Sequence, residues 1–179
     1  MQFSKTPLDG LILIEPKIYK DDRGSFFESY NAAQFEANGI TLDFVQDNQS
    51  LSKKGVIRGL HFQVGSHAQG KLVRVVQGRA LDVVVDLRKE SATFGRYFSV
   101  ELDPQKSTIL WIPPGFAHGF EALEDDTIFL YKVTAPYHQP SEAGIRFDDP
   151  DLNIRWRTSA PIVSEKDKIL PTLREWNSI

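Results

Sequence analysis

Residues 55–78 read GVIRGLHFQVGSHAQGKLVRVVQG, and the fold turns on how this stretch is read. Val56, Ile57, Leu60 and Phe62 make one apolar run, and Leu72, Val73, Val75 and Val76 make a second. Gly65 and Gly70 punctuate the loop between them, so the pattern is strand, loop, strand. Side chains alternate across a strand. Ile57, Gly59, His61 and Gln63 therefore share one face, and Lys71, Val73 and Val75 share a face of the next strand. A histidine and a lysine on the inner faces of neighbouring strands are half-desolvated, where modest changes of surroundings bring both groups toward neutrality. Taken alone, the stretch slightly favours a core histidine with one hydrogen bond and a lysine reaching for solvent.

Outward from this stretch, the chain is a series of short extended pieces. They cover residues 11–19, 25–30, 42–48, 80–87, 94–102, 108–112, 118–123 and 127–134. Asp21-Asp22-Arg23-Gly24 and Asp103-Pro104-Gln105-Lys106 read as turns between them. Asn31 is suited to cap a short helix over AAQFEANG, with Gly39 just past its end. After residue 134 the chain is loop-rich, until Ser164-Glu165-Lys166-Asp167 opens another short helix and a Leu/Trp-containing tail. Many short strands with turns roughly every 8–12 residues and little helix predict an antiparallel sandwich or barrel.

At 179 residues without repeats or a Gly/Ser linker, the chain reads as a single domain over 1–179 with a core of useful size. Hydrophobic residues at 41% and charged residues at 25% set it apart from disordered chains. A net charge of −3 argues against binding a nucleic-acid backbone, though local cations can still hold a small anion. With no cysteine there is no disulfide framework and no thiolate nucleophile, which suits a cytoplasmic setting. The four-residue apolar run 11–14 is too short for a signal-peptide core, and no run approaches a membrane span.

Pro113-Pro114-Gly115-Phe116-Ala117-His118 is similar to the P-x-G-x-x-H pattern of the second cupin motif, and Gly55 followed by His61 to the start of the first. That resemblance implies an all-β, cupin-type jelly-roll barrel with a few short peripheral helices. Metal-binding cupins carry H-x-H followed by a carboxylate. Here Gln63 stands for the second histidine, and no acid lies between it and Asp82. His61 and His118 alone are too few strong ligands for a transition metal or zinc, so no metal is expected.

Over nearly its full length the chain resembles the dTDP-4-dehydrorhamnose 3,5-epimerase family. The stretches that carry the resemblance are DDRGSFFESY, FVQDNQS, VIRGLHFQ, HAQGKLVRVVQG, DVVVDLR, FGRY, WIPPGFAHGFEAL, YKVTAPY and EAGIRFDDPDLNIRW, in that order. The resemblance implies a cofactor-free homodimer that inverts carbons 3 and 5 of a 4-keto sugar on a nucleoside diphosphate. It implies His61 as base, Asp167 as the carboxylate that orients it, Tyr131 as the acid across the ring, and Lys71 as the group that stabilises the oxyanion or nearby polar groups. It also implies Arg23, Glu28, Gln46, Asn48, Arg58, Lys71, His118, Glu142 and Lys166 as contacts to the nucleotide sugar, Arg23 and Glu28 across a dimer interface. Two departures stand outside that chemistry: Gly65-Ser66 where a proline is common, and Phe147 where tryptophan is common.

Each role has a plainer counterpart. Asp167 also fits the third helical position of a capping box opened by Ser164. Tyr131 fits a core aromatic whose hydroxyl finds one partner, on a face shared with Phe129 and Val133. His118 fits a structural histidine at a turn. Arg58 lies three residues from His61, so the two share a pocket only through a bulge or twist. Joint occurrence of His61, Lys71, Tyr131 and Asp167 favours the catalytic reading. The rivals are a mono-epimerase or keto-isomerase on a related dTDP-keto sugar, a non-catalytic nucleotide-sugar-binding cupin, and a metal-dependent dioxygenase-type cupin.

Overall fold

The computed structural model describes residues 1–178. Short strands with one apolar face are stable only when that face is covered, and here two antiparallel sheets cover each other. In chain order the strands are β1 (Gln2–Lys5), β2 (Ile12–Glu15), β3 (Tyr19–Asp21), β4 (Gly24–Phe26), β5 (Gln46–Ser52), β6 (Ile57–Gln63) and β7 (Lys71–Gln77). They continue with β8 (Ala80–Asp86), β9 (Tyr97–Leu102), β10 (Ile109–Ile112), β11 (Phe116–Ala122), β12 (Thr127–Val133) and β13 (Glu142–Gly144). The helices are α1 (Ala32–Ala37), α2 (Glu165–Lys168) and α3 (Leu173–Asn177).

A six-stranded sheet runs β1-β2-β10-β7-β12-β5, a five-stranded sheet runs β13-β6-β11-β8-β9, and β3 pairs only with β4. From β5 to β8, and again from β9 to β13, the chain changes sheet at every strand. This is the cupin-type jelly roll. Val73, Val75, Leu110, Phe120 and Phe129 meet between the sheets in one buried cluster. The outer face of the five-stranded sheet, with Leu60, Phe62 and Val83, is covered by Ile145, Leu152 and Leu173 of the C-terminal segment. Phe35 of α1 and Ile40 cover Leu72, Ile109 and Trp111 on the other outer face.

The first apolar runs do form strands, but β6 and β7 are not neighbours. They lie in opposite sheets, so His61 and Lys71 face each other across the interior rather than along one sheet. The expected strand 11–19 breaks into β2 and β3 at Pro16, which has no N–H for the ladder. The expected strand 42–48 begins only at Gln46, and Leu42 and Val45 before it are exposed. The first helix is as expected: Asn31 accepts from the Gln34 N–H, and Gly39 follows with φ +82°. Helix α3, closed by a reciprocal cap between Thr172 and Glu175, goes beyond the expected tail.

Candidate active site

The site begins with an irregularity in β6. His61 lies opposite His118 on β11, yet Arg58 lies opposite Phe120, so three steps on β6 face two on β11. One extra residue on one strand is a β-bulge, and it reverses the side-chain alternation. Residues directly opposite share a face. Arg58 therefore joins His61, His118 and Phe120 on the inner face, and the expected alternation through Ile57 fails at this point. Gly59 makes the bulge possible. Its φ is +119°, and a Cβ there would lie 2.6 Å from Gly119 Cα and 2.7 Å from the His118 carbonyl oxygen.

The bulge also exposes a backbone donor. The Gly59 N–H donates to Asp167 Oδ2 at 3.3 Å, while Asp167 Oδ1 lies 2.7 Å from His61 Nε2. Asp167 sits on α2, where Ser164 caps the turn by accepting from the Asp167 N–H at 3.1 Å. The capping position and the histidine-partner position are thus the same residue. Burial pushes the Asp167 carboxyl up, but the bonds to His61, Gly59 and Ser164 outweigh it and hold the group below its usual range. An ionised Asp167 keeps a proton on His61 Nε2 and leaves Nδ1 as the available base.

The opposite wall comes from the six-stranded sheet. Tyr131 on β12 is opposite Asn48 of β5 and Val73 of β7, and it packs against the interior cluster. Burial raises its phenol pKa, so the hydroxyl keeps its proton through the neutral range; Arg58 pulls weakly the other way. Lys71, at the start of β7, is buried and reaches across the interior to donate from Nζ to the His61 carbonyl oxygen at 3.0 Å. Burial lowers its pKa to about 8, against the pull of Asp82 and Glu142.

These groups surround a cavity of about 680 Å³, lined by His61, Lys71, Tyr131, Asp167, Arg58, His118 and Lys166 among others. A second cavity of about 320 Å³ shares His61, Lys71 and Tyr131 and adds Gln46, Asn48 and Glu142. Arg58 spans the two sheets, donating to Ser52 Oγ at 3.1 Å and to the Leu51 carbonyl at 3.2 Å. Lys166 pairs with Glu142 Oε2, which also accepts from the Tyr137 hydroxyl at 2.8 Å. Burial pushes the Glu142 carboxyl up, but these two partners hold it below its usual range.

Arg23 and Glu28 are not brought to the cavity within the chain. Arg23 is exposed on the β3–β4 turn, tied to Asp21, and Glu28 accepts from Asn31 and Gln34 at the start of α1. His118 lies inside β11 rather than at a turn, and its Nε2 bonds Asp82 Oδ2 at 2.8 Å. Burial lowers its pKa, against the opposing effect of Asp82.

Asp82, the partner of His118, is a residue to which the sequence reading gave no role. It is fully buried on β8, and its Oδ1 has no hydrogen-bond partner among the described residues. The signal was a carboxylate inside the apolar run ALDVVVDL, since a buried acid requires a partner. Ser50 was missed as well; its hydroxyl is buried and without a partner among the described residues, and the residue lines the larger cavity. Gln63, the residue in the position of a metal-ligating histidine, has its amide committed to backbone groups.

The family model described as dTDP-4-dehydrorhamnose 3,5-epimerase matches residues 5–175. A dTDP-4-dehydrorhamnose 3,5-epimerase of Methanothermobacter thermautotrophicus is 50% identical over 177 residues, covering 97% of this chain and 95% of that protein. The crystal structure of the Legionella pneumophila dTDP-6-deoxy-D-glucose-3,5-epimerase in complex with dTDP-4-keto-L-rhamnose superposes with a TM-score of 0.93 at 46% identity, covering 97% of this chain and 93% of that one. A 3′-monoepimerase of Streptomyces bikiniensis, solved with dTDP-quinovose, superposes with a TM-score of 0.91 at 32% identity, covering 97% and 88%. With a paired histidine and aspartate on one sheet side, a tyrosine and a lysine on the other, and near-complete matches to its members, this chain belongs to the dTDP-4-dehydrorhamnose 3,5-epimerase family.

Proposed function

We propose that the protein inverts carbons 3 and 5 of dTDP-4-keto-6-deoxy-D-glucose to give dTDP-4-keto-L-rhamnose, a step of dTDP-L-rhamnose biosynthesis. The observation that carries this reading is the placement of the candidate base and acid on facing sheets, His61 on β6 and Tyr131 on β12, with one cavity between them. Inversion next to a ketone needs that arrangement: a proton leaves one face of the ring and another arrives on the opposite face.

His61 Nδ1 takes the proton from carbon 3 or carbon 5, and the C–H electron pair moves into the ketone as an enolate. Asp167 stabilises the imidazolium that results. The Lys71 ammonium stabilises the oxyanion in surroundings from which water is largely excluded. The Tyr131 hydroxyl then gives its proton to the carbon from the other face, and the enolate returns to the ketone. Exchange with solvent restores the imidazole and the phenol. Arg58, Lys166 and His118 supply donors around the cavity, and cations and amides of this kind suit a diphosphate. No step requires a metal or a cofactor.

The working unit in this reading is a homodimer of single-domain chains acting in the cytoplasm. The β3–β4 hairpin supports the dimer: it lies outside both sheets and leaves Tyr19 54% and Phe26 68% exposed next to Arg23. A second copy in contact with this hairpin would receive Arg23 and Glu28 at its own cavity. Among the described residues no helix is long and apolar enough to cross a membrane.

Proton NMR of dTDP-4-keto-6-deoxyglucose incubated with the protein in deuterated water tests the reading. Deuterium at both carbons, with the L-rhamno product, is the expected result. Deuterium at carbon 3 alone would make the protein a mono-epimerase, and no exchange at either carbon would remove the catalytic reading.

A further inference from the structure

Gln63 lies at the outer end of β6, two residues beyond His61, and is only 5% exposed. Its amide reaches two separate rim segments at once. Nε2 donates to the His67 carbonyl at 2.7 Å and to the Pro136 carbonyl at 3.2 Å, while Oε1 accepts from the His138 N–H at 2.8 Å. Around this amide the segments 64–70 and 134–141 are closed together. Val64 N–H donates to the Ser141 carbonyl at 3.0 Å, Gln69 Nε2 donates to the Ala135 carbonyl at 2.7 Å, and Gly70 N–H donates to Thr134 Oγ1 at 2.8 Å. The rings of His67 and His138 stack over the junction, 3.7 Å apart and 7° from parallel.

Tyr137 sits between the two residues that Gln63 holds. Its N–H donates to Gln46 Oε1 at 3.1 Å and its hydroxyl donates to Glu142 Oε2. Glu142 is in turn the direct cross-strand neighbour of Gln63. All four residues line the cavity that continues from His61, Lys71 and Tyr131 toward the rim. One buried amide therefore determines where two rim groups stand relative to the proton-transfer centre.

We propose that Gln63 is a positioning residue for substrate binding: it clamps the rim into the shape that receives the nucleotide portion and takes no part in proton transfer. The inference rests on the reading in the preceding subsection, in which the sugar occupies the space between His61 and Tyr131 and the nucleotide extends outward. Only a primary amide offers two donors and an acceptor in one plane. Methionine at this position has nearly the same length and volume with none of these bonds, and glutamate sets a carboxylate against two backbone carbonyls.

The test compares wild type with Gln63→Met and Gln63→Glu, using dTDP binding by calorimetry, steady-state kinetics with the 4-keto sugar, and hydrogen exchange at the His138 amide. Loss of the clamp should weaken dTDP binding and raise KM together by about 10- to 100-fold, with kcat within about threefold of wild type. Gln63→Glu should be the weaker binder of the two, and the His138 amide should exchange faster in both. A fall in kcat with KM and dTDP affinity unchanged would overturn the proposal, as would full wild-type behaviour of either variant. If the wild-type protein binds dTDP but fails to turn over the keto sugar, the proposed reaction falls, while the binding and exchange comparison still decides the clamp. If Gln63→Met does not fold, Gln63→Glu carries the same comparison.

Discussion

Replacing Asp167 with asparagine removes one charge from the site while keeping its shape. The carboxylate now accepts on both oxygens, from His61 Nε2 and from the Gly59 N–H. An asparagine can serve only one of them. If its oxygen faces His61, its NH₂ group points at the Gly59 N–H, and two opposed donors without acceptors cost about 1–3 kcal/mol. If its oxygen faces Gly59, its NH₂ group donates to Nε2, and the histidine proton moves to Nδ1, the nitrogen that must be free to act as base. Either arrangement also exchanges a charge-assisted bond to the imidazolium for a neutral one, worth roughly 1–2 kcal/mol. The combined loss of about 2–5 kcal/mol corresponds to a decrease in kcat of roughly 30- to 5,000-fold. Deuterium wash-in at carbons 3 and 5 measures it, dTDP binding serves as the control, and ¹⁵N NMR of the His61 ring reports the tautomer. A variant within threefold of wild type, or one whose loss of activity is matched by an equal loss of dTDP binding, would refute this account of Asp167.

Two more predictions follow from the same geometry. Burial lowers the Lys71 pKa to about 8, so the charged form is lost as pH rises through that value, and kcat/KM, which reports the free enzyme, should fall along a single ionisation there. Lys71→Met should cost about 10²–10³-fold and abolish this alkaline limb; persistence of the limb in the variant would assign it to another group. Gly59→Ala places a Cβ against Gly119 and the His118 carbonyl at a φ that side chains rarely adopt. Backbone strain and overpacking together should cost roughly 2–6 kcal/mol, lowering the melting midpoint by about 4–24 °C, with kcat reduced at least about tenfold as the bulge shifts. A midpoint within about 2 °C of wild type would show that the bulge tolerates a side chain.

Within β7 and β12 the sequence was enough. Alternation of apolar residues places Phe129, Tyr131 and Val133 on one face and Lys71, Val73 and Val75 on another, and the interior cluster uses those faces. Ser164 and Asp167 read as the opening of a helix, and α2 starts there with Asp167 capped. Local rules suffice in these cases because strand alternation and helix capping act over only a few residues.

Tertiary structure decided which strands face one another. The sequence places β6 and β7 side by side, whereas pairing across the whole chain puts them on opposite sheets, and only then does Lys71 reach the His61 carbonyl. It also decided the bulge at Gly59, because the extra residue is defined by the register against β11, about 60 residues further along the chain. The partnership of Asp82 with His118 and the clamp at Gln63 have the same origin. Arg23 and Glu28 lie away from the cavity that their own chain encloses. A residue's type and spacing determine what it is able to do; long-range pairing determines what stands opposite it, and the proposed proton transfer depends on what stands opposite.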